Sequence, residues 1–350
     1  MPLDSADSVR DAPKAKGAGS KWASWGGTAL GLLMLALAVW AFGKILRRYD
    51  LHEVIAQVVS MPGLRLAMAL LFTGLSYLTQ TGYDYLAARS LHRGASFARA
   101  SFAAFIGNAF TNNIGLSLLT GTSLRYRFYQ SWGVPPLEIA QLIGLSKLAF
   151  VNGLFVFSGA AQILFPVHLR ASIHLPLPPR ILGCLLLAPT LGLLIWNGLS
   201  KGDELVLGKF RLARPAQSLL IGQTALSCLH LAFAAFTLYY LLPDDALRAA
   251  GFAGPQAFLG AYMAIKFVAM FVPIPGNLGV FEGAAMAVLT PALPDYPVLG
   301  ALLGYRIAYY VLPFALAFLM LAVYELSSRQ GFLPTLLRRR RERKRVNVAV

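Results

Sequence analysis

Five ionisable side chains stand inside stretches that are otherwise apolar: Asp84, Lys147, Lys266, Glu282 and Arg306. A charge at bilayer depth is costly, so such residues mark ion pairs, proton relays or contacts with a polar substrate. Glu282 follows a run of helix breakers, "PIPGNLGVFEG" (273–283), and Lys266 stands on the segment entering that run. Arg306 lies partway along the last apolar segment, and Tyr309 and Tyr310, three and four residues on, share its helical face. Together Lys266, Arg306 and Glu282 fit an anionic or zwitterionic lipid headgroup; the alternative is a buried ion pair that pins helices. Asp84, between Tyr83 and Tyr85 near a segment end, is expected either to join such a site or to snorkel to the interface. Asn108, Asn112 and Asn113 either line a polar crevice or cap half-helices.

The breakers have a physical use. Pro273 and Pro275 cannot donate backbone hydrogen bonds, and Gly276 and Gly279 loosen a helix. Irregular backbone at membrane depth survives where protein or a wet cavity satisfies its polar groups. Two half-helices meeting there would place the N-terminus of the second, near Asn277, toward an anion. The plainer alternative is a packing kink, with Gly279 and Gly283 forming a close helix contact.

These residues need a membrane scaffold, and the composition supplies one. Of 350 residues, 57% are hydrophobic and 13% charged, too few polar groups for the surface of a soluble protein of this length. Apolar runs of spanning length recur and are continuous rather than alternating, which points to helices and excludes a membrane β-barrel. The first run follows Arg10, Lys14, Lys16 and Lys21 and reads as an uncleaved first transmembrane helix, because its small-residue site lies inside the apolar stretch. The net charge of +16 does not imply nucleic-acid binding, since the basic residues sit in short loops and in the tail "RRRRERKR" (338–345). That is the positive-inside pattern, with attraction to anionic lipid.

The layout that keeps basic loops on one side is all-α. It has about six spanning helices, near 22–45, 64–88, 137–165, 179–199, 215–242 and 298–325, plus a possible interfacial helix near 50–60. Two broken hairpins, 101–119 and 255–292, enter the membrane and return to the side they came from. Both termini are then cytoplasmic, with most of the 31 Lys and Arg on that side, including Arg125 and Arg127 in a loop at 125–136. Arg47, Arg48, Arg65, Arg170, Arg180 and Arg248 fall outside. The chain divides into a disordered N-terminus (1–21), a membrane domain (22–325, halves 22–199 and 215–325) and a basic tail (326–350). The halves resemble each other: "NNIGLSLL" (112–119) pairs with "GNLGVFEG" (276–283), and "LIGLSKLAF" (142–150) with "LLGYRIAYY" (302–310). An inverted repeat is the expectation.

Enzyme signals are weak. The chain has no Walker A loop, no HExxH, no nucleophile elbow and no dinucleotide fingerprint, and its five histidines lack metal-ligand spacing. No catalytic residue, metal or cofactor is expected. His230 reads as a packed, hydrogen-bonded histidine, and Cys184 and Cys228 as small core residues.

"NNIGLSLLTGTSLRYRFYQSWGV" (112–134), "GYDYLAARSL" (82–91) and "VPIPGNLGVFEG" (272–283) resemble the lysylphosphatidylglycerol synthase transmembrane family, in particular the N-terminal flippase region of bacterial phosphatidylglycerol lysyltransferases, the multiple peptide resistance factors. The resemblance covers about residues 25–325. It implies a region that moves aminoacylated phosphatidylglycerol to the outer leaflet, with roles for Asp84, Arg125, Arg127, Glu282 and Arg306. In full-length members a separate soluble domain attaches the amino acid from aminoacyl-tRNA; the expectation is that this chain lacks it. Where the family has Pro-Gly-Gly, this chain has Pro275-Gly276-Asn277.

The expected function is binding and flipping of a phospholipid in the bacterial inner membrane, an aminoacylated phosphatidylglycerol such as lysylphosphatidylglycerol. Lys147, Lys266 and Arg306 would attract the phosphate, and Asp84 with Glu282 the lysyl ammonium. Expected partners are the lipid, a separate aminoacyl-tRNA-dependent transferase and a second copy of the chain; nucleic acid is not one. The alternatives are an accessory membrane protein of a hopanoid or glycolipid pathway, and a secondary transporter of a small anion.

Overall fold

The structure, a computed structural model, describes residues 61–91, 96–114, 120–166, 178–200, 202, 204–207, 210–249, 251–252, 254–271, 280–289 and 295–327. The expected first span (22–45), the interfacial helix (50–60), the breaker residues 273–279 and the basic tail lie outside them.

Ten helices follow in order among the described residues: α1 Gly63–Leu91, α2 Phe97–Ile114, α3 Gly121–Ser131, α4 Pro136–Leu164, α5 Pro179–Leu199, α6 Gln217–Leu241, the short α7 Asp244–Ala249, α8 Pro255–Phe271, α9 Val280–Leu289 and α10 Asp295–Tyr305. α10 continues through a π-helical stretch, Arg306–Val311, and the helix runs on to Ser327. Between α5 and α6 stands a small antiparallel hairpin, β1 Glu204–Leu207 and β2 Phe210–Ala213, in register Glu204↔Ala213. From sequence this stretch is expected to be a basic loop. Its alternating apolar residues around a two-residue connection are a hairpin pattern.

Four helices among the described residues are long and apolar enough to cross a membrane: α4, α5, α6 and Gly300–Ser327. Their outward faces carry large apolar residues such as Ile181, Leu185, Leu191 and Ile195 on α5, and Leu316 and Leu319 on the last helix. Cys184 is exposed on α5 rather than in the core.

α1 does not fall in that set, although it was expected to span and its 29 residues reach about 43 Å at 1.5 Å per residue. The cause is its inward face. Thr73, Ser76, Gln80 and Asp84, spaced three to four residues apart, are buried, while Leu64, Leu70, Leu71 and Leu78 point outward. This is the amphipathicity of a soluble helix turned inside out, as apolar solvent requires.

α1 packs most extensively against α6. Arg65 Nη1 donates to the carbonyl of Leu242 at 2.9 Å, Ser76 Oγ lies 2.9 Å from His230 Nδ1, and Gln223 Nε2 donates to the carbonyl of Tyr83 at 2.8 Å. The partner number falls as the α1 number rises, so the two helices are antiparallel. Around them the contacts come in matched sets. α1 touches α2, α4 and the π-helical stretch; α6 touches α8, α10 and α4. α2 packs on α3 and on the π-helical stretch, as α8 packs on α9 and on α4. Each half thus has a long helix, a long and a short hairpin arm, and a closing helix, with the halves inverted.

The arms themselves match: 18 and 11 residues in α2 and α3, 17 and 10 in α8 and α9. The first hairpin is longer than the 101–119 read from sequence, because its return arm is α3. Arg125 and Arg127 had disguised that arm as a cytoplasmic loop. Gly121 lets the arms meet, since a Cβ there would strike the carbonyl oxygen of Gly107 and Oγ1 of Thr111. The paired motifs also shift: 112–114 close a first arm, whereas 280–283 open a second.

Candidate functional site

The return arm α3 carries Arg125 into the protein. Its Nη2 donates to Asp84 Oδ2 of α1 at 2.7 Å, and its Nη1 lies 3.4 Å from Oδ1. Asn108 of α2 completes the bridge: its Nδ2 donates to Asp84 Oδ2 at 3.1 Å and its Oδ1 accepts from Arg125 Nη2. Asp84 is 1% exposed and Arg125 4%. Asp84 therefore does not snorkel. Gly107 makes room for the guanidinium, since a Cβ there would meet the Arg125 side chain at 2.6 Å. A buried pair with every partner supplied can persist, whereas removing one member costs about 3–5 kcal/mol.

Beside the bridge lies a cavity of about 90 Å³, whose wall also includes Gln80, Tyr83, Asn112, Ser146, Lys147 and Phe150. That is well above the roughly 10–15 Å³ one water needs. Lys147 has no hydrogen-bond or ion-pair partner among the described residues. Gln80 Oε1 and Ser146 Oγ are buried without protein partners. Asn112 Nδ2 donates to Tyr77 Oη at 3.3 Å on the same side. The cavity thus combines a cation, unspent donors and acceptors, and an adjacent ion pair.

The second half carries its own pair. Glu282, on the first turn of α9, bonds Arg306 at the start of the π-helical stretch. Arg306 is 4% exposed, and its Cζ sits 4.8 Å over the ring of Tyr310, an arrangement that adds a cation–π contact. π-helical turns recur at functional sites; here the turn begins at Arg306 itself. Lys266, partly buried on α8, makes no contact with Glu282 or Arg306 among the described residues. Of the three expected residues, the structure brings Glu282 and Arg306 together, and Arg306 has a carboxylate beside it.

A polar seam joins the halves. Ser76 Oγ lies 2.9 Å from both His230 Nδ1 and Tyr309 Oη, Tyr77 Oη donates to the carbonyl of Tyr309 at 3.2 Å, and Asn113 Nδ2 donates to that of Tyr310 at 3.1 Å. Tyr262 and Tyr305 share a hydroxyl contact of 2.8 Å, and Tyr305 stacks on Phe281 and Tyr309. Asn113 is thus a tie between hairpin and π-helical stretch rather than a wall of the cavity.

Arg127 bonds Glu325 near the end of the last helix and fastens the hairpin to the bundle. Gly276, Asn277 and Gly279 lie outside the described residues. The sequence reading missed Gln80, Tyr77 and Ser146. A polar stripe at helical spacing, Thr73–Ser76–Gln80–Asp84, was the signal for Gln80.

The model of the lysylphosphatidylglycerol synthase transmembrane region matches residues 28–317. The uncharacterized protein slr0712 of Synechocystis sp. is 34% identical over 300 residues, 85% of this chain and 91% of that protein. The inner membrane protein YbhN of Escherichia coli is 24% identical over 290 residues, 81% and 87% of the two chains. With helices of spanning length and apolar outward faces, these matches place the protein in a membrane. The chain belongs to the lysylphosphatidylglycerol synthase transmembrane-region family.

Proposed function

We propose that the protein binds a phospholipid by its headgroup and moves it between leaflets, with aminoacylated phosphatidylglycerol as the substrate. The observation that carries this reading is the Lys147 cavity: a cation, unspent polar groups and an exchangeable ion pair, inside a bundle whose outer surface is apolar. A headgroup holding a phosphate and an ammonium fits it in a specific way. The phosphate docks on Lys147, and the ammonium takes the place of Arg125 on Asp84. The released guanidinium then pairs with the phosphate. Asp84 and Arg125 each keep a partner throughout, which avoids the roughly 3–5 kcal/mol penalty of an uncompensated buried charge. Glu282 and Arg306 offer the same exchange in the inverted half. Lys266 remains a cation available to the phosphate, while the acyl chains stay in bilayer.

In this proposal the 350-residue chain moves lipid and catalyses no aminoacyl transfer. A separate aminoacyl-tRNA-dependent transferase supplies the substrate, and both termini face the cytoplasm of a bacterial inner membrane. The test is co-expression with a soluble transferase in a host lacking aminoacylated lipid. The fraction of that lipid reached by an impermeant amine reagent should rise, with its total little changed. New aminoacylated lipid from this chain alone, or unchanged sidedness with the transferase present, would refute it.

A further inference from the structure

Hydroxyl and amide side chains on these helices spend their donors close by. Thr79 Oγ1 donates to the carbonyl of Leu75 at 3.0 Å, Ser90 Oγ to that of Ala87 at 2.8 Å and Ser131 Oγ to that of Phe128 at 2.7 Å, the ordinary back-bonding of a helical hydroxyl. Gln162 and Gln223 donate their amide nitrogens to carbonyls of facing helices, Gly260 at 3.3 Å and Tyr83 at 2.8 Å. Two side chains in the wall of the Lys147 cavity differ. Ser146 of α4 is 2% exposed, and its Oγ has no partner among the described residues. Gln80 of α1 is 5% exposed; its side chain meets the Tyr83 hydroxyl, yet its Oε1 has no partner among the described residues.

Their places follow a charge pattern. Ser146 precedes Lys147, so α4 brings a cation and an unspent hydroxyl to the wall. Gln80 stands four residues before Asp84, on the same helical face, so α1 brings a carboxylate and an unspent carbonyl oxygen. A donor beside the cation and an acceptor beside the carboxylate match one kind of ligand, with an anionic end and a donor end. A buried acceptor left unpaired costs more than a typical hydrogen bond gains.

We propose that Gln80 is a specificity-determining residue of the lipid site: it accepts a hydrogen bond from an N–H or O–H of the headgroup, while Ser146 donates to the phosphate held by Lys147. The proposal rests on the lipid-binding function above. The cavity then takes phosphodiester lipids whose headgroup carries a donor and rejects those whose headgroup carries none. A primary ammonium on Asp84 has N–H to spare for Gln80. A quaternary ammonium has the same charge and no N–H, so it leaves Gln80 Oε1 unpaired. A site built to hydrogen-bond its ligand discriminates strongly against an analogue lacking the donor.

The N-methyl series of phosphatidylethanolamine separates hydrogen bonding from charge and bulk. The purified full chain in a neutral detergent is titrated calorimetrically with dihexanoyl phosphatidylethanolamine and its mono-, di- and trimethyl forms, the last being the choline lipid. All four keep the ammonium charge, and only the choline form lacks an N–H. The first three should bind within about threefold of one another and the fourth at least about tenfold more weakly. Gln80→Met keeps the length without the acceptor; it should bring the fourth lipid within about twofold of the others and leave the melting temperature unchanged or raised. Gln80→Asn keeps an acceptor and should keep part of the step. Ser146→Ala should weaken all four lipids by about fivefold and leave the step in place. Free phosphoethanolamine should bind more weakly than its lipid; equal binding would replace a lipid site by one for a soluble phosphoamine. Flat titrations, a smooth decline with each methyl, or a step that survives Gln80→Met would overturn the proposal even if lipid still crosses the membrane. A Gln80-dependent step in a protein that moves no lipid would uphold it and overturn the transport reading.

Discussion

Asp84 and Arg125, 41 residues apart in the chain, meet at 2.7 Å in the protein interior. One belongs to a long helix and the other to the return arm of a hairpin, so the contact closes the first half of the fold and also borders its cavity. Asp84→Asn or Arg125→Gln alone should destabilise the protein by about 3–5 kcal/mol, read from thermal or denaturant unfolding in detergent. The double variant should recover part of that loss, because it leaves no uncompensated charge, yet should not restore lipid movement. A double variant as unstable as the sum of its parents would show that the two side chains act independently.

Lys147 should behave differently. It has no ion-pair partner among the described residues, so Lys147→Met removes a half-buried charge and should leave the melting temperature unchanged or raised. Transport of lysylphosphatidylglycerol should fall by about tenfold or more, the size of losing one charged hydrogen bond. Destabilisation on the scale of the Asp84 variants would show that the lysine is a structural partner.

Glu282 and Arg306 stand between these cases. Arg306 is buried and Glu282 partly so, and Arg306 also rests on Tyr310. Arg306→Gln should therefore lower both folded yield and transport. Arg306→Lys keeps the charge but loses the planar contact, and should recover folded yield more fully than transport. Expression and activity must be read together, because loss of activity alone fits either role.

The sequence carried the class of fold and the places where charge enters it, since continuous apolar runs and isolated charges survive in any one-dimensional reading. It did not carry partnership. Asp84 stands between Tyr83 and Tyr85 near a segment end, so its neighbours in the chain fitted an interfacial residue as well as a site, while its partner lay beyond a turn. Arg125 and Arg127 looked like loop residues because short-loop arginines are the ordinary topology signal; only the three-dimensional pairing shows α3 as a hairpin arm. The polar face of α1 was legible as a stripe, but its inward direction follows from apolar surroundings rather than from the period. The π-helical turn at Arg306 has no comparable mark in residue type, since Tyr309 and Tyr310 suit an α-helix equally well.

Gly121 tests the hairpin itself. Gly121→Ala places a methyl against the Gly107 carbonyl and Thr111 and should cost about 1–3 kcal/mol by overpacking. Gly192→Ala is the matched control: it meets no atom within 4 Å and should be neutral or stabilising by up to about 1 kcal/mol. Equal effects at the two sites would mean the arms do not meet at Gly121.

The proposed route takes lipid headgroups through the Lys147 cavity. The direct measurement uses the purified protein in vesicles that hold lysylphosphatidylglycerol in both leaflets, with an impermeant amine reagent outside. With the unmodified protein, labelling should continue beyond the outer-leaflet pool until the inner pool is consumed. With Lys147→Met at equal protein content, it should stop at the outer pool, as in protein-free vesicles. Labelling that stops at that pool for the unmodified protein, or runs equally far with Lys147→Met, would contradict the account.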